Sequence, residues 1–135
     1  MMLMAYKFLL GWNIDLRYKN MKNWETLKQR YLRDGLPIRL GCLASNLARI
    51  KTLSQKATAP NVAVSLVEES KIFIEWTALD ADIDTAGELV ELQLQLSLWQ
   101  LRWAKIWADP VQRMEVAKQA KIWSDRILAR SGLLD

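Results

Sequence analysis

The sequence contains no histidine and a single cysteine, Cys42. Histidine is the commonest general base and the commonest zinc ligand, so its absence removes the usual nucleophile–histidine pairs and, with only one cysteine, the usual structural zinc sites. A lone cysteine cannot form an intramolecular disulfide, which makes a reducing, cytoplasmic compartment the simplest setting. No catalytic or cofactor motif stands out along the chain. We therefore expect a protein that is not an enzyme and that uses no cofactor and no metal.

Long hydrophobic runs are also missing. No apolar segment approaches the roughly 20 residues that a membrane-spanning helix needs, so we expect no membrane among the partners. The chain has 135 residues, of which 51% are hydrophobic and 25% are charged, an ordinary composition for a globular protein. A chain of this length predicts one domain whose core needs neither disulfides nor metals.

The first twenty residues, MMLMAYKFLLGWNIDLRYKN, have no clear hydrophobic period. They lack the basic start and the small-residue cleavage site of a secretory signal. Met21 opens a more regular pattern, so we interpret residues 1–20 as a leader from an over-extended gene start. The alternative is a strand or helix that packs on the bundle. Residues 21–135 are then the helical bundle domain.

The longest periodic apolar segment runs from Thr85 to Ala108. Apolar and polar residues alternate from Val90 to Leu98, as in a strand, but a stripe at helical spacing continues beyond them: Leu89, Leu92, Leu96, Trp99, Trp103 and Ile106. Good helix formers dominate, and β-branched residues are nearly absent. We predict the central helix of a bundle, with a second apolar row that widens its apolar surface: Val90, Leu94, Leu98 and Leu101.

The ends of this helix also carry signals. Thr85 with Glu88 matches a capping box, which predicts Thr85 as the N-cap, and Asp109-Pro110 ends the helix. Similar patterns predict helices from Lys22 to Arg33, from Leu36 to about Gln55, from Pro60 to about Leu79, and from Pro110 to a C-terminal cap at Gly132. A small side on the second helix predicts close packing against a neighbour: Gly41, Ala44, Ser45 and Ala48. The fold class is thus an all-α bundle of four or five helices.

Charge is segregated along the chain. Residues 21–56 carry eight basic and two acidic side chains, whereas residues 57–91 carry one basic and eight acidic ones. The net charge of the whole chain is +4. Oppositely charged segments can neutralise each other within the molecule or across a dimer, so the basic isoelectric point is weak support for nucleic-acid binding.

Two long segments carry a resemblance to known proteins: NWETLKQRYLRDGLPIRLGCLASNLARIK and ELVELQLQLSLWQLRWAKIWADP. They resemble a group of short, uncharacterised cyanobacterial proteins, and the resemblance covers roughly Met21 to Leu134. It implies a small cytoplasmic helical protein. The matching segments are helix patterns without a chemical motif, so the resemblance assigns no active residue.

Three tryptophans recur every four residues along the predicted central helix: Trp99, Trp103 and Trp107. They are either core residues or an aromatic platform for a chromophore, a nucleobase or a partner helix. Successive positions four apart drift by about 40° around a helix, so the three rings cannot all face one seam. An exposed tryptophan at a rim is a frequent interface anchor, and we predict that these residues bind a second copy or another helical protein.

The alternative function is weak nucleic-acid binding by the basic residues of the first two helices: Lys22, Lys28, Arg30, Arg33, Arg39, Arg49 and Lys51. The competing interpretation is a solvated face that complements the acidic third helix. No helix-turn-helix spacing, glycine-rich phosphate loop or RNA-binding motif accompanies these residues. The sequence therefore favours a non-enzymatic interaction or scaffold module that self-associates, most simply as a homodimer.

Overall fold

The computed structural model describes residues 24–135, and this part of the chain contains six α-helices and no strand. The helices are α1 (Trp24–Arg33), α2 (Leu36–Lys56), α3 (Pro60–Thr77), α4 (Ile83–Leu101), α5 (Trp103–Ala108) and α6 (Pro110–Ser131), with a 3-10 turn at Ala78–Asp80 between α3 and α4. The prediction of an all-α helical bundle is confirmed.

The chain divides into two compact units, Met1–Arg33 and Asp34–Asp135. The first unit contributes α1 to the described residues, a ten-residue helix that carries Glu25 in its first turn and Arg30 and Arg33 in its last turn. This charge order suits the helix dipole. The predicted boundary between residues 20 and 21 and the predicted start at Lys22 lie outside the described residues.

The second unit contains the five helices α2 to α6. Helix α2 packs most extensively against α6 and then against α3, α3 packs against α4, and the short α5 packs against α6. Leucine and isoleucine side chains from α2, α4 and α6 form the centre of the core and are almost fully buried: Leu43, Leu47, Ile50, Leu89, Leu92, Leu96 and Ile127. The stripe predicted from Leu89 to Ile106 therefore points into the core, except that Trp103 is half-buried.

Helices α2 and α6 approach each other closely at Ala44, one residue of the small side predicted on α2, whereas Ser45 and Ala48 of that side are exposed. The Ser124 hydroxyl of α6 donates a hydrogen bond to the Ala44 carbonyl of α2 at 2.8 Å, a contact that needs small residues between the two backbones. A Cβ atom at Gly41 would lie 2.8 Å from the Leu133 side chain. Glycine at this position lets the chain after α6 fold back onto α2.

The prediction that Thr85 caps the fourth helix is wrong. The helix begins at Ile83, its N-cap is Asp82, and the Asp82 carboxylate accepts a hydrogen bond from the Thr85 backbone N–H at 3.1 Å. Asp is as good a cap as Thr, and a start three residues earlier frees Glu88 for other partners. Hydrogen bonds from the Thr85 side chain and backbone lower the pKa of Asp82 below its ordinary value.

The segment predicted as one helix from Thr85 to Ala108 consists of two helices, α4 and α5, which meet at Arg102. The backbone of Arg102 lies outside helical geometry, at φ −105° and ψ 12°. The last helix begins at Pro110 and ends at a Gly132 cap, as the sequence predicts. Asp109 caps α6 by accepting from the Val111 N–H at 2.9 Å, and Gly132 takes the left-handed conformation that ends it.

Candidate functional site

The three tryptophans predicted to bind a partner lie in different environments. Trp99, on α4, is buried in the core with 5% of its surface exposed, so its ring is not available to a partner in this fold. Trp103 and Trp107, on α5, are half-buried and contact each other, with ring centroids 5.3 Å apart and planes tilted by 34°. The break at Arg102 thus separates one core residue from a pair at the surface.

Hydrogen bonds fix the half-buried pair in place. The Trp103 indole donates to the Pro60 carbonyl at the start of α3, at 3.2 Å, and the Trp107 carbonyl accepts from the Arg113 guanidinium at 2.6 Å. The pair therefore ties the short α5 to α3 and α6. A rigid, half-exposed aromatic pair is also suited to the rim of an interface, where its free ring surface can be covered.

A larger exposed apolar surface lies on α4 itself, along the second row of the sequence pattern. Leu94, Leu98 and Leu101 are exposed to 49%, 47% and 76%, and Ile83 in the first turn to 87%. At 100° per residue these side chains fall within a sector of about 60°, roughly opposite the stripe that enters the core. We call these four residues the outer row of α4.

We expected the second apolar row to widen the surface that α4 packs into the bundle. Three of its residues, Leu94, Leu98 and Leu101, are exposed instead. The position of the outer row opposite the core explains why the bundle leaves them uncovered. The row contains no charged residue. Among its exposed charged neighbours, Asp84 and Glu91 lie toward the N-terminal end and Arg102 lies just beyond the C-terminal end. Glu91 is 3.8 Å from the Arg126 guanidinium. The surface is thus an apolar strip with an acidic end and a basic end.

The three basic residues of α2 proposed for nucleic-acid binding do not form one face of that helix. Arg39 is buried, and its guanidinium donates to the Asp80 carboxylate at 3.0 Å and to the Trp76 carbonyl at 3.3 Å. Arg49 and Lys51 are two positions apart on α2, so they point to nearly opposite sides of that helix. Lys28, Arg30 and Arg33 lie on α1 in the other unit, and Lys22 lies outside the described residues.

A buried lysine, Lys71, makes a polar contact between α3 and α4. The sequence analysis did not identify this residue. The Lys71 ammonium donates to the Gln100 side-chain oxygen at 2.8 Å, and the Gln100 amide donates to the Glu68 carboxylate at 3.1 Å. Lys71 is 4% exposed, so its amine is held inside the fold. Its acceptor Gln100 lies 29 residues further along the chain, and a local pattern cannot show this pairing.

Acidic residues of α3 and α4 pair with different partners. Glu69 accepts from the Asn46 amide at 3.0 Å, and Glu88 accepts from Arg126 and from Arg130, each at 3.0 Å. Within residues 24–135, no group of three or more potential metal ligands occurs. The carboxylates therefore join helices to one another.

Cys42 is half-buried on α2. Burial raises the pKa of its thiol, and the negative charges of Asp34 and Glu69 raise it further. The thiol is consequently protonated at neutral pH, and a protonated thiol is a poor nucleophile.

None of the helices from residue 24 onward combines the length and the hydrophobicity that crossing a bilayer requires. Comparisons with protein-family models, with curated proteins and with solved structures find no match to this chain, so the resemblance to short cyanobacterial helical proteins stays a prediction.

Proposed function

We propose that the protein is a non-enzymatic helical interaction module that self-associates through the outer row of α4. The observation that carries this proposal is the outer row itself. Its four apolar side chains extend over the 19 residues from Ile83 to Leu101, about 27 Å along the helix, on the side away from the core. Apolar surface left uncovered in a continuous strip is typical of association sites.

The chemistry of the described residues supports a binding role over a catalytic one. The thiol of Cys42 is protonated, the Lys71 amine is buried in hydrogen bonds, and Glu88 is occupied by two arginines. The Lys71 amine and the Glu88 carboxylate thus contribute to the fold. The half-exposed Trp103 and Trp107 follow the outer row directly in sequence, and we place them at the rim of the interface.

Light scattering coupled to size-exclusion chromatography tests self-association. The full chain is run over a range of concentrations at low and at high salt, with absorbance recorded at 260 and 280 nm. We expect a concentration-dependent dimer that persists at high salt, because burial of apolar surface drives it. A monomer that elutes with nucleic acid at low salt and loses it at high salt would instead support the basic helices as the functional site.

Two matched variants test whether the outer row is the surface through which the chain self-associates. Leu94→Glu with Leu98→Glu places two charges in the outer row, and we expect it to yield a folded monomer. Ile38→Glu is the control, because Ile38 has a similar exposure of 46% but lies on α2. We expect this control to remain dimeric. A dimer that tolerates both outer-row charges would show that association uses another surface.

A further inference from the structure

Three residues of the outer row, Leu94, Leu98 and Leu101, belong to a spacing that reads the same in both directions, and Ile83 lies outside it. Taken with Gly87 and the half-buried Val90, their positions from 87 to 101 are separated by three, four, four and three residues. Leu94 is the centre of this pattern. A second α4 that runs in the opposite direction, with a two-fold axis at Leu94, therefore places Leu101 opposite Gly87 and Leu98 opposite Val90.

Gly87 independently indicates that a second helix approaches α4 closely at this position. Glycine weakens a helix interior relative to alanine, so its presence within α4 needs a reason. Gly87 is exposed, and among the described residues no heavy atom lies within 4 Å of the position that a Cβ would take there. No contact within residues 24–135 therefore requires glycine at this position. The Leu101 side chain of a second copy fits the space that Gly87 leaves open.

The flanking charges select the direction of the second helix. In a two-fold antiparallel pair, each flank of one helix faces the same flank of the other. The acidic end of α4, with Asp84, then lies beside the basic end of the second copy, with Arg102. A parallel pair would place the two acidic ends together and the two basic ends together. Opposite helix dipoles favour the same antiparallel arrangement.

We infer that two copies of the chain pair antiparallel through α4, about an axis at Leu94, with Leu101 of each copy packed over Gly87 of the other. The inference rests on the proposed self-association and specifies its geometry. Such an interface uses one surface patch twice and is therefore closed, so it yields dimers rather than filaments.

Cross-linking with a short bismaleimide tests this geometry in the full chain, with Cys42→Ser as background. Gly87→Cys and Leu101→Cys are prepared as separate proteins, one of them with a size tag. Residues 87 and 101 are about 21 Å apart along the helix, so neither protein should cross-link to itself. A mixture of the two should yield the cross-linked heterodimer, and Leu94→Cys alone should yield a cross-linked homodimer. Ile38→Cys is the control and should give no product.

The outcomes separate the geometry from the proposed function. Self-cross-linking of Gly87→Cys and of Leu101→Cys would show a parallel pair and overturn the inference while self-association stands. A dimer by light scattering that yields no product at any α4 position would also overturn it, because association would use another surface. A chain that stays monomeric at every concentration would overturn both proposals.

Charge reversal supplies a second readout. Asp84→Arg and Arg102→Asp should each weaken the dimer at low salt, and the double variant should restore the parent dissociation constant, because each reversed charge then meets its complement in the other copy. Asp84 in the first turn of α4 and Arg102 just after its last residue are about 27 Å apart in one chain, so this restoration cannot arise inside one chain. A dimer unaffected by either single reversal would overturn the antiparallel register.

Discussion

Leu94 and Leu96 are two positions apart on α4, yet their environments are opposite. Leu96 is fully buried, whereas 49% of Leu94 is exposed. Both belong to apolar patterns that the sequence shows with equal clarity. Hydrophobicity alone therefore does not predict whether a residue of α4 is buried. Its angular position relative to the neighbouring helices determines its burial.

Leu96→Asp should prevent cooperative folding. The substitution places an unpaired carboxylate in the core, at a cost of several kcal/mol against a total stability of about 5 to 15 kcal/mol. Circular dichroism during thermal unfolding measures the effect, and we expect no cooperative transition. Leu94→Asp, the same substitution two residues away, is the control and should melt cooperatively. A Leu96→Asp protein that melts within a few degrees of the parent would refute the placement of Leu96 in the core.

Sequence reasoning identified the buried stripe because helical spacing alone determines which residues share a face. It did not identify the roles of Arg39 and Lys71. Arg39 pairs with Asp80, which is 41 residues away, and Lys71 reaches Gln100 on another helix. Such pairings depend on the tertiary arrangement, so a basic residue on α2 or α3 looks like a solvated charge until its partner is placed beside it.

At the scale of single helices, the caps show where local signals compete. Both Asp82 and Thr85 can begin a helix, and each stands before a suitable partner three residues later. Helix α4 uses Asp82, and Thr85 becomes a buried residue of the first turn. The helix then gains one more turn of backbone hydrogen bonds, and Glu88 is directed toward α6 instead of toward the cap.

Removal of this cap should lower thermal stability. In Asp82→Ala the Thr85 N–H loses its acceptor, so we expect the melting temperature to fall by a few degrees. Asp84→Ala is the matched control, because Asp84 also lies in the first turn of α4 but is not the N-cap. If both variants melted at the same temperature, the hydrogen bond to Asp82 would contribute nothing beyond the general effect of a negative charge near the helix start.

Across the whole molecule, the segregated charges of the sequence are brought together by the fold. The basic α2 supplies Arg39 to Asp80 after α3, and the basic α6 supplies Arg126 and Arg130 to Glu88 of α4. Basic and acidic segments therefore neutralise each other within the molecule, as the charge pattern allowed. The sequence could not predict the exposed outer row of α4, because the number of helices that cover α4 is a property of the assembled bundle.

The ion pairs of Glu88 make stability depend on pH. Burial raises the pKa of Glu88, but the hydrogen bonds and charges of Arg126 and Arg130 outweigh burial and hold the pKa below its ordinary value of 4.5. The unfolded chain therefore takes up this proton at a higher pH than the folded chain does. The stabilisation is fully present above about pH 4.5 and is lost as the pH falls through the lower, folded pKa.

Glu88→Gln should accordingly be less stable than the parent at pH 7, and the difference should disappear in acid. We expect a loss of about 1 kcal/mol or less at pH 7, because Arg126 and Arg130 are 40% and 39% exposed and water screens the pairs. Urea unfolding at pH 7, 5, 4 and 3 measures the free energy of unfolding of both proteins. Glu115→Gln is the control, since Glu115 is an exposed carboxylate of α6 that accepts from the neutral Gln119. A difference between Glu88→Gln and the parent that stayed constant down to pH 3 would show that Glu88 contributes by packing and that its charge has no part in joining α4 to α6.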